Sequence, residues 1–555
     1  MAPINKRKCE ACYFSFLEFG TNALSREESW FTLMTEFATT VTDISGGLSQ
    51  IFGAIVKTFF DPEGFNMATV GLSLPFAAGA VRFFCKLKVV IQDGGAHKFV
   101  WQARGDGATK LCLLCKNLFT RESGIAAADP TGRCKSNILK WAELVRATGA
   151  EIRTNARFIA TQAGILDNTA FSELQQSLGI THYLHGLLLD TTLDSIFDPT
   201  EVYMHDWMHC LFVDGVFSLA IYLLFEVFFQ AGLPNIYQVC SDYVSKWFWP
   251  GRLHGTYLKE IFTDSRRDKH RKAGHIKAQA SDLLSLVSVL ALFTRTVLIT
   301  IEADGAVAAC NAFLALVRVI ELIVNFPRLA VPAATLLSAV EKSLELWSVA
   351  WGLDSMTPKL HWLLHIHKQK HMLNCFCLER KHRIAKRYAS SFKNVVLGAS
   401  KSLLMEVSCH HLGQLKQPGA FCFDIGLIDG SPASRRATDL IADAMGLEGD
   451  HDIHTSINSR FNSLGFCSKN DIVLVREANR FRAGRVQIHC SVDGDAFSMI
   501  SMFTLRKHEP ALGYAVWDVS DDGAETVPTR IIINTVVYSK WADNVICTLL
   551  PMELR

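Results

Sequence analysis

The chain has 555 residues, 49% of them hydrophobic and 20% charged, which excludes a disordered protein and leaves room for roughly two to four domains. Lys and Arg number 56 against 54 Asp and Glu, a formal charge of +2. No global basic field marks a nucleic-acid binder, and any DNA contact has to come from local patches.

The opening MAPINKRKCEACYF has no apolar run behind its basic residues. It does not read as a signal peptide, and the 16 cysteines are expected as reduced thiols of an intracellular protein. Up to about residue 125, short apolar runs alternate with Gly-rich turns. In FFCKLKVVIQDGG the alternation predicts a strand that ends at Asp93.

Cys112 and Cys115 follow as a CxxC, a spacing that lets two thiolates reach one tetrahedral zinc from a tight turn. Alone it is half a site. The remaining ligands would come from residues such as Cys134, His182, His185, His205, His209 or Cys210. Structural metal, redox pair and two buried core thiols stand level at this point.

From about 136 to 410 the apolar spacing is helical. Two runs approach membrane-spanning length, 211–233 and 283–300, but the first carries Asp214, Glu226 and Gln230 and the second Arg295. At roughly 2.5–3.5 kcal/mol per central charge they read better as helices buried in a large protein, without a membrane partner. HDWMHC puts His205 and His209 at i, i+4 on one helix face. Position 206 is Asp, so the general base of an HExxH metalloprotease is absent, and the plainer reading is a helix start capped by Asp206.

Two basic stretches stand out. SRRDKHRKAGHIK (265–277), with Arg266, Arg267, Lys269, Arg271 and Lys272, would meet a DNA backbone, direct nuclear import or form a charged loop. In LERKHRIAKRYA, with Arg380, Lys381, Arg383, Lys386 and Arg387, a helix places Glu379, His382, Arg383, Lys386 and Arg387 on one side. There a carboxylate would hold a metal beside cations that engage phosphate. A solvated helix with a Glu–Arg pair is the commoner meaning of such a run. Residues 412–468 are turn-rich and read as a linker; 469–555 alternate in short β-type runs with polar turns, which suggests a small, nearly closed β-barrel. Arg476, Arg480, Arg482 and Arg485 share one stretch of it, as in SH3-like or tudor-like accessory barrels, although such barrels also serve as inert interaction modules.

Taken in order, VVIQDGGAHKFVWQARGDGATKLCLLC, HDWMHCLFVDGV, PKLHWLLHIH and LERKHRIAK resemble the transposases of CACTA elements over roughly residues 13 to 400. The resemblance implies a ribonuclease-H-like α/β core (1–135) interrupted by a mainly α-helical insertion (136–360). A helix returning to the core with Glu379 (361–411), the linker and the C-terminal barrel complete it. It implies a nuclear protein, homo-oligomeric on DNA, that cleaves and transfers strands with two Mg²⁺ or Mn²⁺ ions held by three acids. Asp93 would be the second acid and Glu379 the third, with Cys112 and Cys115 as a structural Zn²⁺ or thiol turn; His205 and His209, by their spacing alone, are further candidate metal ligands. The first acid belongs on the opening strand. MAPINKRKCEA has neither Asp nor strand pattern, Glu10 and Glu18 follow no β-type run, and Asp43 lies downstream. The expectation is therefore an incomplete core and a truncated, decayed or domesticated transposase; the alternative is a non-catalytic DNA- or chromatin-binding protein.

Overall fold

A computed structural model describes residues 8–120, 133–134, 139–253, 255–369, 371–391, 399–417, 424–462, 465–478, 480–520 and 523–555. The chain mixes helix and strand and divides into two discontinuous compact units, Met1–Val216 with Phe326–Phe421, and Phe217–Asn325 with Cys422–Arg555. The units do not follow the expected segment boundaries, because residues 217–325 associate with the C-terminal strands rather than forming part of one insertion.

In the first unit the opening strand Cys9–Phe14 pairs antiparallel with Phe31–Phe37, Glu10 opposite Glu36, with a register shift at Cys12/Tyr13. The expectation that MAPINKRKCEA holds no strand is thereby corrected at its end: Glu10 follows no β-run, as expected, but is the second residue of one. Helices Phe376–Ser391 and Ala399–Leu415 cover this pair, and Cys9, Phe37, Ala385, Ala389, Ala399, Leu403 and Val407 form their shared core. Alanines at 385 and 389, one helical turn apart, let helix and strands approach closely. The His382 Nε2–H donates to Cys9 O at 3.0 Å and the His411 Nε2–H to Glu28 O at 2.8 Å, so buried ring nitrogens are satisfied by backbone.

The second layer starts with helix Gly47–Phe60 and an antiparallel hairpin, Leu72–Phe76 with Gly79–Phe83. The predicted strand before Asp93 is only Val90–Ile91, parallel to Tyr203–Met204. Its end is sharp because Asp93 caps helix Gly94–Val100, its Oδ1 accepting from Ala96 N at 2.6 Å. Helices Gly149–Gln162, opened by a Thr148/Glu151 capping box, and Asn168–Leu178, closed by left-handed Gly179, bury Ile152, Ile159, Trp101, Leu188 and Leu193 together.

The second unit holds helices Ile236–Ser245, Asp264–Ala273 and Ala280–Thr296, most of Val216–Gln230 and Ala306–Leu329, and a curled eleven-stranded sheet that forms a half-barrel rather than a closed barrel. Strand Trp247–Phe248 joins this sheet beside Tyr538–Ala542. The long hairpin Arg480–Val492/Asp495–Glu509 turns on Asp493 and Gly494, whose φ of 50° and 92° suit a type I′ turn. Trp517 is fully buried and donates to Thr548 Oγ1 at 2.8 Å. The stretch expected as linker contains strands Gly426–Ile428, Ile453–Ser456, Asn458–Arg460 and Phe466–Ser468 and helix Arg435–Met445. By length and composition three helices could cross a membrane, Trp207–Gln230, Ala280–Thr300 and Ala306–Leu329, and 61%, 56% and 56% of their apolar windows are buried inside the protein.

Candidate metal centre and acid cluster

Two groups of chemistry-bearing side chains lie within the first unit. The first is a four-ligand centre. The CxxC occupies a loop held to 145–147 by backbone bonds from Lys116 N to Val145 O and from Ala147 N to Leu114 O. It faces helix Pro358–Ile366, which begins with proline at its first turn and presents His361 and His365 at i, i+4. Cys115 Sγ lies 3.6 Å from His361 Nε2 and 3.4 Å from His365 Nε2; Cys112 Sγ lies 3.7 Å from His365 Nε2, and the two Nε2 atoms are 3.0 Å apart. All four ligand atoms fall within 4.8 Å of one another and all four residues are buried. A tetrahedron with Zn–S about 2.3 Å and Zn–N about 2.0–2.1 Å has N···S edges of about 3.6 Å and an N···N edge of about 3.3–3.4 Å. The arrangement therefore suits a tetrahedral metal ion.

The electrostatics agree. Burial lowers the His361 pKa, so its imidazole is neutral and free to ligate. The Cys112 thiol is pulled well down, first by a hydrogen bond from Cys115 and, against burial, by the histidines, while the same bond and burial push Cys115 well up; the pair thus favours one of the two thiolates a metal requires. Buried Lys110 lies close enough to both sulfurs to offset thiolate charge. The Trp141 ring closes the site edge-on to His365 at 5.3 Å.

Of the partners expected for the CxxC, His205 comes close to the centre: it lies 5.3 Å, ring to ring, from His365 and feels the charge of Cys112, with its Nε2 buried and without a hydrogen-bond partner. Burial brings its pKa to about 4. It supports the centre rather than completing it, because His361 and His365 already supply the two nitrogens. His182, His185, His209 and Cys210 are not part of the four-ligand group, and the side chain of Cys134 lies outside the described residues.

The second group is acidic. Asp206 caps helix Trp207–Leu211 as expected, its Oδ1 accepting from Met208 N at 3.0 Å and from Cys375 N at 3.3 Å. Its other oxygen hydrogen-bonds His209 Nδ1. With both oxygens engaged, Asp206 orients His209 and leaves little for a metal, although Asp206, His209 and Cys375 are mutually close. His209 Nε2 is 4.0 Å from Glu379 Oε1. Burial opposes its charging, but Asp206, then Asp93 and Glu379, outweigh it and raise its pKa.

Glu10, half-buried on the opening strand, belongs to the same cluster: burial first, then the neighbouring Asp93 carboxylate, raise its pKa, while Lys386 opposes. Glu10, Asp93 and Glu379 thus come from a strand, a strand end and the first turn of a helix packed on that strand. A small, partly open cleft is lined by Gln92 and Gly94, which flank Asp93, and by Cys112, His205, Asp206 and His209, so it touches both groups.

The basic stretches divide. Arg383, Lys386 and Arg387 are exposed, with Arg387 over the Tyr388 ring at 5.1 Å. Arg380 is tied to Glu27 Oε1 at 3.1 Å and Ser25 O at 2.9 Å. Lys381 is corrected: it is 2% exposed and donates to Glu27 O at 3.0 Å, so it cannot reach a phosphate. Arg266, Arg267, Lys269, Arg271 and Lys272 of the 265–277 stretch all lie in helix Asp264–Ala273 of the second unit rather than in a loop. There Arg266, Lys269 and Lys272 are exposed, Arg267 pairs with Asp264 and Asp268, and Arg271 pairs with Glu226 at 3.2 Å over the Phe229 ring. In the half-barrel Arg482 is held by Glu525 and Glu477.

No family model, curated protein or solved structure matches this chain.

Proposed function

We propose that the first unit is a ribonuclease-H-like nuclease core that cleaves and joins DNA strands in the manner of CACTA transposases, with Glu10, Asp93 and Glu379 as its three acids. The observations that carry this reading are that Asp93 and Glu379 both lie beside His209 and that Asp93 in turn neighbours Glu10. Glu10 takes the place of the first acid whose apparent absence suggested a decayed enzyme. The donors are carboxylate oxygens, the set that Mg²⁺ and Mn²⁺ prefer. Such ions activate an attacking water or 3′-hydroxyl and stabilise the leaving oxygen.

The chain's own contribution is positioning. Asp206 fixes the His209 ring and directs Nε2 toward Glu379. Lys386, beside Glu10, offsets charge when the three acids are ionised. Exposed Arg383, Lys386 and Arg387 offer phosphate contacts on the helix that bears Glu379. The Cys112–Cys115–His361–His365 group suits a structural zinc, closed by four protein ligands with none left for water. It clips the CxxC loop, which follows Asp93, to the helix preceding Glu379.

Conversion of supercoiled plasmid to open circle in Mn²⁺ or Mg²⁺ tests the reading. Nicking that disappears in Glu10→Gln, Asp93→Asn and Glu379→Gln supports it. Salt-sensitive DNA binding without nicking would favour a non-catalytic DNA-binding protein.

A further inference from the structure

The segment that joins the hairpin to Asp93 carries a second, unassigned surface. From Phe83 to Val89 half-buried and exposed residues alternate, the pattern of extended chain whose successive side chains point to opposite sides. The odd positions turn inward. Phe83 meets Phe16 edge-on at 5.1 Å, the Cys85 thiol lies 3.8 Å from the Met67 sulfur, and Leu87 and Val89 pack against separate core clusters. A backbone bond of 3.1 Å from Cys85 N to Met67 O pins the middle.

The even positions therefore face solvent: Arg82, Phe84, Lys86 and Lys88. No hydrogen bond or ion pair engages the three cations among the described residues. Phe84 is 52% exposed between two of them, on a stretch well anchored by its other side. A merely solvated charged edge has no use for a phenyl ring at that position. The hairpin just before it also leaves Leu72, Phe76 and Val81 exposed.

We propose that this edge binds single-stranded DNA, with phosphates at Arg82, Lys86 and Lys88 and a base stacked on Phe84. Alternating cations and an aromatic ring match what an unpaired strand presents, a charged backbone with free base faces. In a duplex the base faces are stacked on one another and unavailable. The binding rests on this edge alone; its use rests on the cleavage reading, in which an unpaired strand arises at a cut end. Lys88 stands five residues from Asp93, so its Cα is within about 18 Å of that acid's.

Fluorescence anisotropy of the full-length protein with an oligothymidine of about 20 nucleotides, and with a duplex of equal length, tests the proposal. Phe84→Ala should weaken oligothymidine binding about fivefold or more while changing duplex binding little, and Phe84→Trp should restore it. Replacing Arg82, Lys86 and Lys88 together by Ala should lower the salt slope by about 2, at roughly 0.7 per single-strand contact. Thermal melting confirms that each variant is folded. Unchanged affinity and slope, or equal losses on duplex and single strand after Phe84→Ala, would overturn it. Wild-type nicking combined with an inert Phe84→Ala defeats this inference alone, and single-strand binding through the edge without nicking defeats only the cleavage reading.

Discussion

Loss of the metal from the Cys112–Cys115–His361–His365 group is the perturbation with the largest calculable effect. An ion held at a thousandfold its dissociation constant contributes about 4 kcal/mol to the folded state. The unit that holds it has roughly 300 residues, and at about 2.1 cal/mol/K per residue that free energy corresponds to about 6–7 °C in Tm. His365 should matter more than His361, because His365 Nε2 lies against both sulfurs, at 3.7 and 3.4 Å, and His361 Nε2 against one, at 3.6 Å. Metal content by mass spectrometry and melting with and without chelator give the readout. The wild type should carry about one zinc per chain and lose several degrees on chelation. His365→Ala should be zinc-free and already melt near the chelated wild type. A wild type that purifies without zinc and ignores chelator, or a His365→Ala protein that keeps its zinc, would refute the geometric argument.

Three further outcomes follow from side chains in defined surroundings. Burial holds His489 near a pKa of about 4, below the unfolded value of about 6.5, so its contribution is complete above about pH 6.5. That contribution, about 3 kcal/mol, declines as pH falls toward 4, and denaturant midpoints across this window should flatten in His489→Gln. Replacing Arg383, Lys386 and Arg387 by Ala should reduce the salt slope of duplex binding by about 0.9 per lost contact and spare Tm, whereas Lys381→Ala should lower Tm and spare the slope. Gly484 lies opposite Met502 in the half-barrel, and a Cβ there would sit 2.4 Å from Ile500 Cγ2 and 2.8 Å from Ser501 O. Gly484→Ala should therefore cost about 1–3 kcal/mol in urea unfolding.

Much of the acid cluster was legible locally. Asp93 at a strand end, Asp206 as a helix cap and Glu379 on a helix followed by dense positive charge all follow from residue patterns. Glu10 was not, because its strand is six residues long, breaks register in the middle and includes two cysteines, so no clean alternation marks it. Its place beside Asp93 becomes visible only when Phe31–Phe37 and the Glu379 helix pack against its strand. The zinc-like group shows the same limit: the CxxC advertised half a site, while His361 lies 246 residues from Cys115. The HxxxH spacing at 361–365 was the available signal. The stretch 412–468 read as linker because its strands have two to four residues. Such strands persist through pairing with longer neighbours rather than through their own periodicity.

The central claim, that Glu10, Asp93 and Glu379 form one divalent-metal site, is tested most directly by titrating zinc-loaded protein with Mn²⁺ and following free Mn²⁺ by electron paramagnetic resonance. Retention of Mn²⁺ by the wild type, its loss in Glu10→Gln and in Glu379→Gln, and an unchanged zinc content are the predicted result. Mn²⁺ binding that survives Glu10→Gln, or no retention by the folded wild type, would contradict it.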